Sequence, residues 1–144
     1  MTSLARYAKE NGIKKFDFVK VDVEGFERRV FEGLADLCDM VLFEFNTWTL
    51  IAYGRDNPIT LLEDLGKNWD LYEARGTDYL DPVENFIGLS HKTMLLNGSV
   101  ADLVAVRKGK EIKRYLVKAN LLQSQIDGLE EQEMSAAERL VSIV

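Results

Sequence analysis

Two short runs of the chain are almost continuously apolar, and a segment with helical spacing lies between them. Residues 16–23 read FDFVKVDV, and residues 40–45 read MVLFEF. Such apolarity over few positions is typical of strands buried on both faces of a parallel sheet. Between them, Phe26 to Leu37 has apolar side chains every three or four residues. This pattern predicts a βαβ unit with a right-handed crossover.

Capping and turn residues predict the remaining elements of an α/β fold. A first helix should begin after Ser3 and end before Gly12. Asn57-Pro58 predicts a second helix start, because asparagine caps helices and proline fits their first position. We expect further strands at residues 69–74 and 100–106, a loose stretch at 46–57 and irregular structure at 76–99. The sheet should then have about four strands, mainly parallel.

The C-terminal residues follow a different pattern. Apolar positions alternate in steps of three and four, with a charged residue, Glu133, in one position of the series: Ile112, Tyr115, Ala119, Leu122, Ile126, Leu129, Ala136, Leu140 and Ile143. This heptad-like series predicts a long helix, which either packs on the domain or forms a coiled coil. We therefore divide the chain into an α/β domain at residues 1–108 and a helical tail at 109–144.

Composition narrows the function classes. The 144 residues suit a single domain, and the formal net charge is −6. An acidic chain repels phosphate backbones, which argues against a nucleic-acid partner. A single cysteine and a single histidine exclude an internal disulfide and a histidine-rich metal site. No apolar run is long enough to insert in a membrane, so we expect a cytoplasmic protein.

Carboxylates follow the first predicted strand. Alternation places Lys20, Asp22 and Glu24 on one side of it. Ligands of open α/β sheets bind at the carboxyl ends of the strands, where these groups can take a proton or hold a cation. Alternatively, Asp22 caps the following helix, and Glu24 and Glu27 favour its positive N-terminus.

The second predicted strand ends similarly, with Glu44 and Asn46. A carboxylate within an apolar strand is costly without a partner. Glu44 is therefore either one half of a structural ion pair with Lys20 or a functional group beside Asp22. A carboxylate cluster also fits a metal-dependent hydrolase, but no histidine lies nearby in sequence to complete the ligand set.

Three residues of the loose stretch, Trp48, Tyr53 and Arg55, form a candidate substrate rim for a sugar or a planar ring. The alternative is a loop folded over the sheet edge. We interpret His91 as a surface residue and Cys38 as a small buried side chain rather than a nucleophile.

The residues from Ser3 to Asn46 resemble the C-terminal part of FkbM-type methyltransferases. The similar segments are LARYAKENGIKKFDF, the core motif VKVDVEGFE, the helix RRVFEGL and the strand VLFEFN. The segment DLVAVR at 102–107 resembles the last strand of that fold. The resemblance implies a class I, Rossmann-like methyltransferase, with residues 1–108 as the C-terminal half of its sheet.

This resemblance also implies an activity and its site. The cofactor would be S-adenosylmethionine, and the acceptor a hydroxyl of a glycan or another small molecule. Asp22 and Glu24 would face the methyl donor and the acceptor, where they orient or deprotonate the hydroxyl, with Glu44 one strand over. Asn46, Trp48, Tyr53 and Arg55 would contact the substrate.

One family feature has no counterpart in this chain. The glycine-rich cofactor loop and the acidic residue that holds the ribose precede the similar part in the family, so the cofactor-binding residues stay unidentified. We expect an N-terminally truncated, split or decayed relative, whose exposed VKVDV edge favours self-association or low stability. In a different class of function, the chain is a non-catalytic module, and residues 112–143 recruit a second copy or a partner chain.

Overall fold

The computed structural model describes residues 4–34, 36–75, 79–95, 100–111 and 142–143, and it has an α/β fold, as predicted. Its helices are α1 (Leu4–Glu10), α2 (Glu27–Leu34), α3 (Thr47–Thr49), α4 (Pro58–Leu65) and α5 (Phe86–Leu95), with a π-helical turn at Leu50–Gly54. Its strands are β1 (Val19–Val21), β2 (Met40–Phe45), β3 (Trp69–Arg75), β4 (Tyr79–Pro82), β5 (Ala101–Arg107) and β6 (Ser142–Ile143). None of the described helices has the length and apolarity that crossing a membrane requires.

The strands form one sheet in the order β4-β3-β5-β2-β1-β6. β1 and β2 pair in parallel, with Val19 beside Val41 and Val21 beside Phe43. β5 lies between β2 and β3 and is antiparallel to both. The prediction of a mainly parallel sheet is therefore wrong: three of the five neighbouring pairs are antiparallel. The apolar pattern of a strand predicts that the strand is buried. Whether the strand runs parallel or antiparallel to its neighbours depends on which sheet edge the chain reaches.

The main core lies between the helices and one face of the sheet. Phe31 of α2 contacts the rings of Phe43 and Trp69 edge to face, with centroids 5.1 Å and 5.5 Å away. Leu61 and Leu62 of α4 are fully buried in the same cluster. Along β1 and β2 the core residues alternate with exposed or half-buried ones, so Lys20, Leu42 and Glu44 lie on the second face.

The stretch predicted to be loose, residues 46–57, is largely helical. Asn46 caps α3: its side-chain oxygen accepts hydrogen bonds from the backbone N–H groups of Trp48 and Thr49. Thr47 is fully buried, and its hydroxyl contacts the hydroxyl of Thr93 on α5. A three-residue helix has no measurable periodicity, and this one depends on its cap and on a distant element.

The stretch predicted to be irregular, residues 76–99, contains β4 and α5. β4 forms a hairpin with β3, with Glu73 opposite Asp81. α5 packs against α3 and α4 and buries Leu89, Ser90 and Thr93. Two of these three residues are polar, so the helix shows little amphipathic pattern and the sequence did not reveal it.

Five predicted elements are placed well, and two are shortened. α1, β2, β3, α4 and β5 begin and end at or near their predicted bounds, whereas α2, predicted over Phe26 to Leu37, is helical at Glu27–Leu34. The predicted strand at 16–23 is regular only at Val19–Val21, and Phe16 makes an isolated bridge to Cys38. Glycines at 12 and 25 have positive φ angles and follow these elements as turn residues.

The predicted helical tail lies outside the described residues except at Ser142–Ile143. These two residues pair in parallel with β1, beside Lys20 and Val21. The expectation that the outer edge of β1 is exposed is thus wrong at these two positions, because the chain itself supplies a neighbouring strand.

Candidate functional site

Four carboxylates converge at the carboxyl ends of β1 and β2. Glu44 is directly opposite Asp102 across the β2–β5 pair, and the charges of Asp22 and Glu24 also act on it. Asp22, Glu24 and Asp102 are exposed, whereas Glu44 is half-buried. The structure therefore brings together the three residues that the sequence nominated as catalytic, and it adds Asp102.

The environment of Glu44 favours its protonated form. Burial, followed by the negative charges of Asp22, Glu24 and Asp102, raises the pKa of Glu44 above its ordinary value. Lys20 opposes this shift in pKa, but no ion pair joins Lys20 and Glu44 among the contacts of the described residues. Among the described residues, Glu44 therefore lies within the electrostatic influence of Asp22 and not in an ion pair with Lys20.

The turn that follows β1 has an unusual backbone. The N–H of Phe26 donates to the carbonyl of Val23 over 3.3 Å, and both central residues, Glu24 and Gly25, have positive φ angles of 49° and 102°. Glycine adopts this region freely, but a glutamate there is strained unless its surroundings hold it. Interactions outside the turn must therefore maintain its shape.

One of these interactions comes from Glu27, the first residue of α2. Its Oε1 accepts a hydrogen bond of 3.0 Å from the N–H of Gly25, and the side chain is only 2% exposed. Its Oε2 is buried and has no hydrogen-bond partner. Burial raises the pKa of Glu27, the hydrogen bond from Gly25 lowers it, and the charges of Glu24 and Asp22 raise it.

Sequence reasoning assigned Glu27 only to the helix dipole and so missed its burial. A signal was present: Glu27 is the last residue of the motif VKVDVEGFE, three residues after Glu24. The alternative that Asp22 caps α2 is not seen, since no backbone N–H donates a hydrogen bond to the Asp22 carboxylate among the described residues.

The second interaction is a close backbone contact between Gly25 and the π-helical turn. A Cβ on Gly54 would overlap the carbonyl oxygen of Gly25, and a Cβ on Gly25 would overlap the carbonyl oxygen of Thr49. Both glycines are needed because backbone meets backbone here. The contact places the segment that carries Trp48, Tyr53 and Arg55 beside the turn that carries Glu24.

The nominated substrate-contacting residues differ in their roles. Trp48 and Tyr53 are 50% and 66% exposed, as a surface that meets a ligand requires. Arg55 is exposed and has a left-handed backbone at the end of the π-helical turn. Asn46, by contrast, uses its side-chain oxygen to cap α3, so it stabilises the start of this segment.

Arg28 fastens the same segment to α2 and α4. Its guanidinium donates to Asp56 over 2.7 Å and to Asp64 over 2.6 Å. The hydrogen bonds that Arg28 donates to both carboxylates raise its pKa, so its charge is fixed. The loop after the π-helical turn is therefore held to α2 at Asp56, two residues after the contact of Gly54 with Gly25.

Other candidate groups lie elsewhere. Cys38 is fully buried, its thiol donates to the carbonyl of Met40, and burial raises its pKa, as expected of a packing residue. His91 is exposed on α5. An open depression of about 280 Å³ lies between the β3–β4 hairpin and α5, lined partly by Glu73, Arg75 and Lys92, far from the carboxylates in sequence. No group of three or more histidine, cysteine, aspartate or glutamate residues in the described ranges is arranged to hold a metal ion.

Comparison with known protein families finds a match to the N-terminal part of the chain. Residues 1–66 match the model of the methyltransferase FkbM domain. The match spans α1 to α4 and contains Asp22, Glu24, Glu44 and the whole segment from Asn46 to Arg55. It confirms the similarity to FkbM-type methyltransferases over these residues. No curated protein and no solved structure matches the chain significantly.

Proposed function

We propose that this chain carries the acceptor side of an S-adenosylmethionine-dependent methyltransferase that methylates a hydroxyl of a glycan or another small molecule. The observation that carries the proposal is the meeting of Asp22, Glu24 and Glu44 at the ends of two adjacent parallel strands, inside the matched region. Strand ends of this kind are where open α/β sheets place their ligands.

The chemistry requires a base and a site for positive charge. S-adenosylmethionine, when bound, supplies an electrophilic methyl group on a positively charged sulfur. The carboxylates of Asp22 and Glu24 suit that charge, because the described cluster contains more negative than positive groups. Glu44 would accept the proton of the acceptor hydroxyl while the methyl group passes from sulfur to oxygen and S-adenosylhomocysteine leaves; its raised pKa makes it a stronger base than an exposed glutamate.

The aromatic segment orients the acceptor. Trp48 and Tyr53 offer exposed rings, and Arg55 adds donors beside them. Because Gly25 and Gly54 are in contact, this segment cannot move independently of the carboxylates. Positioning of this kind provides much of the rate enhancement in reactions between two bound groups. We include in the proposal a Rossmann-like half-sheet at residues 1–108 and, within the tail predicted at 109–144, a helical segment that ends before β6 (Ser142–Ile143).

Calorimetric titration of the chain with S-adenosylmethionine and with S-adenosylhomocysteine tests the proposal. We expect both to bind, and Glu24→Gln to weaken S-adenosylmethionine more than S-adenosylhomocysteine, since only the former has the charged sulfur that Asp22 and Glu24 are proposed to face. Glu63→Gln, at an exposed position of α4, is the matched control and should change neither affinity. The absence of binding by both compounds would overturn the proposal for this chain.

The two other function classes gain less support. The described residues contain no three-ligand cluster for a metal-dependent hydrolase. The residues on which an interaction module would depend, 112–141, lie outside the described part of the chain.

A further inference from the structure

Glu27 has the features of a residue that works through its neighbours. It is 2% exposed, follows the Glu24–Gly25 turn at the start of α2, and holds that turn through a single hydrogen bond of 3.0 Å. Burial of a carboxyl oxygen without a hydrogen-bond partner destabilises the fold, whereas burial of an apolar residue of similar size stabilises it, so packing alone does not account for Glu27.

The turn that Glu27 holds would not keep its shape alone. Glu24 has a left-handed backbone with φ 49°, and such a conformation costs about 1–3 kcal/mol in a residue other than glycine. Two contacts hold the turn: the backbone of Gly25 meets that of Gly54, and the carboxyl of Glu27 accepts a hydrogen bond from the N–H of Gly25. Without the contact to Glu27, Glu24 is free to return to an ordinary conformation.

The position of this turn affects how strongly the charges of Asp22 and Glu24 raise the pKa of Glu44. The charges of Asp22 and Glu24 act on Glu27 on one side and on Glu44 on the other. Asp102 and Lys20 also act on Glu44, but they lie on or beside the sheet and do not depend on the turn. A shift of the turn would therefore change only the contributions of Asp22 and Glu24 at Glu44.

We propose that Glu27 is a positioning residue, which fixes the carboxylates of Asp22 and Glu24 beside Glu44 by holding the N–H of Gly25. The assignment deepens the proposed methyl transfer, on which its catalytic meaning rests. The position of Asp22 and Glu24 beside Glu44 can be measured without cofactor or acceptor.

The test is a ¹³C NMR titration of the Glu44 carboxyl in the full chain. Glu27→Gln keeps an oxygen that can accept from Gly25, and Glu44 should titrate as in the parent chain. Glu27→Ala removes the acceptor, and Glu27→Asp is one methylene too short to reach it. In both, Glu44 should titrate closer to the ordinary pKa of glutamate, because Asp22 and Glu24 move away. Glu32→Ala, at an exposed position of α2, is the control and should leave the titration unchanged.

Two results would overturn the assignment. One is an unchanged Glu44 titration in both Glu27→Ala and Glu27→Asp, which would make Glu27 a packing residue only. The other is an equal change in Glu27→Gln, which would make its charge rather than its hydrogen bond responsible. If Glu27→Ala fails to fold, Glu27→Asp decides. Failure of cofactor binding, by contrast, would remove the proposed function and leave the titration result intact.

Discussion

The carbonyl oxygen of Gly25 occupies the position that a Cβ on Gly54 would need. This contact joins the turn after β1 to the π-helical turn, two segments 29 positions apart. It is the reason that a carboxylate turn and an aromatic segment form one unit. Neither glycine belongs to a recognisable glycine-rich motif, and their pairing became visible only in three dimensions.

Replacing Gly54 with alanine tests this contact. The added methyl group overlaps backbone rather than a flexible side chain, so we expect Gly54→Ala to lower the free energy of unfolding by about 2 kcal/mol or more. Gly33→Ala is the matched control: it lies in α2 with open space around it, and alanine should stabilise the helix by about 0.5–1 kcal/mol. Urea denaturation of both variants measures the difference. Equal effects would argue against the contact.

Replacing Glu44 with glutamine should stabilise the chain at neutral pH. Glu44 and Asp102 are like charges directly opposite each other across two strands, an arrangement that costs about 0.2–1 kcal/mol. Because folding raises the pKa of Glu44 above 4.5, its contribution to stability is most favourable at low pH and declines as the pH rises through the folded value. The stability gain of Glu44→Gln should therefore disappear as the pH falls below about 4.5.

Urea denaturation of the parent chain and Glu44→Gln across this pH range provides the measurement. Added salt should also reduce the gain, because it screens the repulsion. A gain that did not vary with pH would show that repulsion is not its cause. If Glu44→Gln also binds the cofactor more weakly, then Glu44 lowers the stability of the chain but serves its function.

Replacing Arg28 should loosen the loop after the π-helical turn. Arg28→Met leaves Asp56, whose side chain is 16% exposed, without its guanidinium partner. We expect a loss of about 1–3 kcal/mol in the free energy of unfolding. Arg28→Lys should recover only part of it, because one ammonium cannot contact both Asp56 and Asp64 as the planar guanidinium does. Arg6→Met, which removes an exposed pair with Glu10, should cost about 0.5 kcal/mol or less.

Replacing Thr47 with valine should weaken the attachment of α3 to α5. The Thr47 hydroxyl donates to the carbonyl of Ser90 and contacts the hydroxyl of Thr93, all in the buried interior. Valine has the same shape but leaves these groups with one partner fewer, so we expect a loss of about 1–2 kcal/mol. Thr60→Val, at an exposed position, should have a much smaller effect. Thermal unfolding monitored by circular dichroism compares the two.

The sequence by itself determined the elements that carry strong local signals. β2 and α4 lie where apolar runs and the Asn57-Pro58 cap predict them, because burial periodicity and helix capping act over a few residues. The motif VKVDVEGFE and the strand VLFEFN also indicated the similarity to FkbM-type methyltransferases; the motif nominated Asp22 and Glu24, and the strand nominated Glu44.

Tertiary structure alone decided the direction of β5, the helical form of residues 47–54, the burial of Glu27 and the pairing of Gly25 with Gly54. Three of these depend on contacts between residues distant in the chain. A free sheet edge sets the direction of β5, a buried hydroxyl on α5 holds α3, and the backbones of Gly25 and Gly54 meet directly. Local patterns record which side chains are buried, whereas the partner that each one meets is set only when the elements pack together.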